Sequence, residues 1–158
     1  MANVDELIRK LVNKGVDVAE LLLDALSMVD PQEGIRERMS LAEKYLEEAR
    51  QYVDKGDAVQ ASERAYKAAE ECVKALAEKY DTPEYREFVR VGRWYTYLLG
   101  MASKTLANQL GYWVVDGWNA AYDLHVWGFH ERKYSIEYVK IGIARIEELV
   151  REARKVLQ

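Results

Sequence analysis

Apolar residues recur every three or four positions along almost the whole chain, and no segment sustains the two-residue alternation of a strand. The clearest stripe is Ile35, Met39, Ala42, Leu46, Ala49 and Val53, which steps by four, three, four, three and four. That spacing lays one buried face along a helix from Pro31 to about Asp54. "DKGD" closes it. Gly56 suits the left-handed closing position, and Asp57 with Gln60 caps a following helix over 57–80. So short a connection sets the two helices side by side and antiparallel. The second carries two apolar lines. One is Ala58, Ala61, Ala65, Ala68, Cys72 and Ala75; the other is Tyr66, Ala69, Val73, Leu76 and Tyr80. Small side chains let a neighbouring axis approach closely, which places this helix at the centre. Its line Glu63, Lys67, Glu70 and Lys74 reads as a solvated face.

Further along, "DTPEY" opens a helix with Thr82 as cap, and the stripe Tyr85, Phe88, Gly92, Tyr95, Leu99, Ala102 and Leu106 carries it to about Gly111, with bends at Gly92 and Gly100. A helix follows from Trp113 to about Trp127, broken at Gly128. Another runs from a Ser135 cap to Leu157 on Ile136, Val139, Ile143, Ile146, Val150, Ala153 and Leu157. Ahead of Pro31 the pattern predicts two short helices. Gly15 ends the first, and Asp17 with Glu20 forms a capping box for the second. These two pack outside the bundle or against a partner. The expected fold is all-α: an antiparallel up-and-down helical bundle over residues 31–158 with an N-terminal helical extension over 1–30, compact as a whole. No internal repeat shows.

Composition narrows the function classes. With 49% hydrophobic and 32% charged residues, the 158-residue chain can bury a core and stay dissolved. Net charge is −4, and the halves differ: 12 basic against 17 acidic residues in 1–80, 11 against 10 in 81–158. That lacks the basic excess of a duplex-binding surface. Cys72 is the only cysteine, which excludes an internal disulfide and points to a reducing cytoplasm. The first ten residues lack the apolar core of a secretory signal, and no apolar run is long enough to span a bilayer, so no membrane association is expected.

Candidate chemistry concentrates in "YDLHVWGFHERKYS", residues 122–135, which holds both histidines. His125, His130 and Glu131 invite a metal reading, but residues five apart diverge by about 140° on a continuous α-helix. A break at Gly128 would be needed to bring them together. No H-E-x-x-H motif and no Glu-x-x-His repeat is present. No metal and no cofactor are expected. Cys72 falls in the alanine line and reads as an inert buried thiol. Phosphate-loop, dinucleotide and nucleophile-elbow glycine patterns are absent. The aromatics Trp94, Tyr95, Tyr97, Tyr112, Trp113, Trp118, Tyr122, Trp127, Phe129 and Tyr134 serve either packing and subunit contact or base stacking. Arg86, Arg90 and Arg93, with Lys104, read as a solvated face that an anion or RNA backbone could also meet.

The stretch "LAEKYLEEARQYVDKGDAVQASERAYKAAEECVKALAEKY" resembles the helical hairpin of the HEPN superfamily, and "GDAVQASERAYKAAEECVKALA" is similar in detail to the archaeal PaREP family. "LHVWGFHERKYSIEYVKIGIARIEELV" fits the last two helices of that family. The resemblance covers about residues 35–157 and implies a HEPN-like bundle, often homodimeric. Active HEPN ribonucleases carry an arginine, often a polar residue after it, and a histidine four to six residues on, and they cleave RNA without metal. "WNAAYDLH" is the nearest counterpart: Asn119 and His125 fit, but Trp118 stands where arginine is expected. The expected function is therefore a non-catalytic, HEPN-like binding or interaction protein, homodimeric through helices rich in alanine and aromatics, with a nucleotide, RNA or protein partner. Trp118, Tyr122, His125, Trp127 and His130 are the expected ligand-binding residues. The alternatives are a divergent metal-independent ribonuclease of toxin type, with His125, Asn119 and Arg132 as catalytic residues, and a purely structural module.

Overall fold

A computed structural model describes residues 3–158. Among these residues the regular structure is entirely helical: α1 (Val4–Asn13), α2 (Val18–Val29), α3 (Pro31–Asp54), α4 (Ala58–Lys79), α5 (Pro83–Val91), α6 (Thr96–Leu110), α7 (Trp113–Asp123), a π-helical segment (Leu124–His130) and α8 (Ile136–Leu157). Sequence-local signals set most of the boundaries. Asp17, Asp30, Asp57 and Thr82 each accept a hydrogen bond from the backbone N–H three residues on, at 3.0–3.2 Å. Such caps satisfy donors that a helix start leaves without partners. Ser135 sits at the start of α8 as expected, but its hydroxyl makes no capping bond.

The α3–α4 hairpin is the most extensive packing in the molecule, and α4 also meets α5, α6, α7, α8 and the π segment. Its small-residue line is why it can be enclosed. Ala61, Ala65, Ala68, Cys72 and Ala75 are all fully buried, as are Ala42 and Ala49 of α3. Cys72 Sγ lies 3.9 Å from Met39 Sδ, and burial pushes its thiol up, away from the thiolate. With the alanines spent inside the chain, they are no longer available as a contact between two copies. Exposed apolar surface lies instead on Val89, Val91, Tyr95, Tyr97 and Met101 of the α5–α6 region, and on α1 and α2.

Two expected features differ. The expected continuous helix over 82–111 is two helices. Gly92 adopts φ +84°, closes α5 and donates its N–H to Phe88 O at 2.7 Å. Trp94 then stacks on Phe88, ring centroids 5.0 Å apart and planes 10° from parallel, which anchors the corner. Gly100 lies within α6 and marks no break. The polar line of α4 is not solvated either. Lys74 is 3% exposed, and α2 covers it.

That cover is ionic. Arg38 of α3 is wholly buried and donates to Glu20 Oε1 at 3.1 Å, Asp24 Oδ1 at 2.8 Å, Glu71 Oε1 at 3.0 Å and Glu78 Oε1 at 2.9 Å. Lys74 pairs with Glu20 as well. Burial pushes the Glu20 carboxyl up, but Lys74, a Glu71 hydrogen bond and Arg38 together hold it down at about 2. Glu71, deeper and beside Glu20, is held well above the usual carboxylate range. α2 is thus clamped to the α3–α4 hairpin, whereas α1 buries no residue.

Candidate functional site

The π segment continues directly from α7, and its wider turn decides where the histidines point. Glu131 N–H donates to Val126 O at 2.8 Å, the five-residue register of a π-helix. Residues five apart then lie above one another instead of about 140° apart. A tertiary contact occupies the middle of this segment. Gly128 is buried against α4, where a Cβ would lie 2.2 Å from Ser62 Oγ. Ser62 is itself fixed by donating to Ala58 O at 2.7 Å. Contrary to the sequence expectation, Gly128 does not break the helix; it lets the backbone settle on α4 while the chain stays helical.

His125 and His130 consequently meet, with their Nε2 atoms 3.1 Å apart. On its other side, His125 Nδ1 lies 2.9 Å from Glu63 Oε2, on the α4 line expected to face solvent. A carboxylate accepts only, so His125 Nδ1 donates to Glu63, and in the neutral ring Nε2 is then left to accept from His130. The His125 ring is also stacked on Tyr66, centroids 4.0 Å apart and planes 22° from parallel. Tyr66 is 3% exposed, and burial pushes its phenol up, so it remains a neutral donor. His125 is therefore held by a carboxylate and an aromatic face, and His130 closes the pair from the exposed side.

Beside this cluster α6 and α7 leave a groove of about 410 Å³ lined by Thr96, Tyr97, Gly100, Trp118 and Tyr122. Trp118 is 4% exposed and forms its inner wall; Tyr122 is 45% exposed and forms its lip. Trp118 and Tyr122 stack at 6.3 Å and His125 and Phe129 at 6.2 Å, while Tyr122 and His125 meet at 6.2 Å with planes tilted by 36°. One aromatic series thus runs from the groove to the histidine pair. Glu70, a turn beyond Tyr66 on α4, is half-buried, and burial pushes its carboxyl up to about 7.

Of the residues expected to bind a ligand, Trp118, Tyr122, His125 and His130 come together. Trp127 is 46% exposed on the π segment and does not line the groove. The three expected catalytic residues share no hydrogen bond or ion pair within the chain among the described residues. Asn119 and Arg132 are exposed, Arg132 sits in a left-handed turn at φ +54°, and neither makes a hydrogen bond or ion pair to His125 among the described residues. Of the expected basic line, Arg86 pairs with Asp81 and Arg90 with Glu87 on the surface, and Arg93 lies over the Tyr95 ring at 4.9 Å. Glu63 and Tyr66 had no local signal as site residues, because their partner lies about sixty residues away. Among the described residues no group of three or more His, Cys, Asp or Glu converges as a metal cage, and no helix is long and apolar enough to cross a membrane.

Comparison with known proteins adds lineage. A family model described as the archaeal PaREP1/PaREP8 family matches residues 37–150. A crystal structure of a Sulfolobus solfataricus protein is 39% identical over 74% of this chain and 96% of that one, with a TM-score of 0.68. A solution structure of the same structural-genomics target is 39% identical over 73% of this chain and 90% of that one, with a TM-score of 0.65. No curated protein matches. The matched span holds α4, the groove and the π segment, whereas α1 and α2 lie outside it.

Proposed function

The chain belongs to the archaeal PaREP1/PaREP8 family, and we propose that it is a non-catalytic, HEPN-like binding protein that takes a nucleotide or an RNA base into the groove between α6 and α7. The observation that carries this reading is the pair Trp118 and Tyr122 lining a groove of about 410 Å³, with His125 next to Tyr122. A planar base presents a π-face that such a lip can stack, and base–aromatic stacking contributes about 1–3 kcal/mol per base. Thr96 and the hydroxyls of Tyr97 and Tyr122 supply the few polar groups that orient a ligand in an otherwise apolar cleft. The protein works as a homodimer in the cytoplasm, with the exposed Val89, Val91, Tyr95 and Met101 of the α5–α6 region at the contact.

A screen of nucleotides and short RNAs by thermal shift, followed by calorimetry, tests the reading. One ligand should bind per chain, and Tyr122→Ala should weaken it at least fivefold, the lower end of the stacking contribution. Absence of binding by every nucleotide and RNA tested would overturn it.

The paired histidines favour one second reading, a divergent metal-independent ribonuclease. The His130–His125–Glu63 series holds a donor and an acceptor within one hydrogen-bonded line, as proton transfer requires. Here Trp118, in place of an arginine, and the lack of any hydrogen bond or ion pair from Asn119 or Arg132 to His125 among the described residues weigh against it. RNA cleavage by the purified protein, lost in His125→Ala, would establish this second reading over the first.

A further inference from the structure

The geometry points to a divalent transition-metal site at the His125–His130 pair, built from the two Nε2 atoms with Glu63 behind them. Two imidazole nitrogens bound to one ion at 2.0–2.1 Å stand about 2.9 Å apart at a right angle and about 3.4 Å apart in a tetrahedron. The 3.1 Å separation found here lies between those limits. The Nδ1 of His125 meets the Glu63 carboxylate at 2.9 Å, which is the outer-shell contact that metal-bound histidines use to fix the tautomer and turn Nε2 outward. Tyr66, stacked at 4.0 Å, fixes the plane of the same ring. One ligand is thus rigid. The second, His130, is exposed, so its ring proton can move from Nε2 to a solvent-facing Nδ1 and leave the Nε2 lone pair to turn toward an ion.

Charge favours the same occupant. Among the described residues Glu63 pairs with no lysine or arginine; its one ion-pair partner is His125. With the imidazoles neutral, the cluster carries an uncompensated carboxylate beneath two nitrogen donors, and a divalent cation neutralises it. Imidazole ligands select zinc, copper and nickel over magnesium or calcium. Two protein ligands leave the remaining positions to water or to a donor atom of a ligand seated in the neighbouring groove. The site does not depend on that groove being filled.

Titration of the full-length chain with Cu²⁺, read by calorimetry and by electron paramagnetic resonance, tests this inference. One ion should bind per chain, with two equatorial nitrogen couplings in the spectrum. His130→Gln should remove one nitrogen and weaken binding at least tenfold, in a protein whose circular dichroism is unchanged because the side chain is exposed. Glu63→Gln should keep both nitrogens and weaken binding by about 10–100-fold. Binding of equal strength in His130→Gln, or no stoichiometric binding at all, would overturn the inference. Because the probe is the metal alone, failure here leaves the nucleotide result standing, and the reverse holds.

Discussion

Two polar clusters flank α4, and they are built on opposite terms. On the α2 side Arg38 is wholly buried and every N–H it directs at the cluster finds a carboxylate. On the π-segment side the His125–His130 pair is half-buried, with His130 facing solvent and an aromatic groove alongside. In the first cluster both cations, Arg38 and Lys74, are buried and committed to the carboxyls around them, so neither is open to a ligand. The second keeps unshared donor capacity within reach of water. Perturbed groups occur on both sides, with Glu71 and Glu70 both raised. A perturbed acid therefore does not identify a site in this fold; the openness of its surroundings does.

Arg38→Met attacks that contrast at its strongest point. It leaves Glu20, Asp24, Glu71 and Glu78 facing one another with only Lys74 among them, and breaking a buried pair from one side costs about 3–5 kcal/mol. Denaturant unfolding should show that loss, and a change under about 1 kcal/mol would mean that α2 is not clamped ionically. Gly128→Ala is next. Its Cβ has no room against Ser62, so the π segment must shift, at about 1–3 kcal/mol by urea unfolding. The shift should also separate the two imidazoles, visible as changed histidine ring resonances.

Glu70 gives the pH-dependent comparison. Its folded-state pKa of about 7 stands above the ordinary value of 4.5. The native state therefore holds a proton that the unfolded state has lost, and this contribution to stability declines as pH rises from 4.5 towards 7. Glu70→Gln should flatten that decline and stabilise the protein by about 1–3 kcal/mol above neutrality, in paired unfolding curves at several pH values. Glu20 has the opposite sign. Held down at about 2, its contribution is fully present above 4.5 and is lost as pH falls through 2. The smallest expected effect is His130→Ala, within about 0.5 kcal/mol, since the residue is exposed. A large loss there would place the histidine pair with the structural cluster and erase the contrast.

How far the residues announced these features follows from the range of the interactions. The α3–α4 hairpin was legible because its stripe and its Asp57 cap are local. Asp17 was legible as a cap too, but Glu20 three residues on was assigned to the same capping box, while its carboxylate reaches α3 and α4 instead. A glutamate at that position fits both uses, and only the buried Arg38 decides. "LHVWGFH" fits an α-helix ending at a glycine as well as it fits a π-helix. What settles the matter is Ser62, packed against Gly128 from across the fold. Glu63 was lost for the same reason, since nothing near it in sequence foretells a histidine at 125.

The candidate site exists because the π segment brings two imidazoles into contact. Nitrogen-15 spectra of the histidine rings, recorded above neutrality, test that most directly. They should show His125 protonated at Nδ1 and a coupling across the hydrogen bond between the two Nε2 atoms. Two uncoupled rings, each averaging between tautomers in the folded protein, would contradict it.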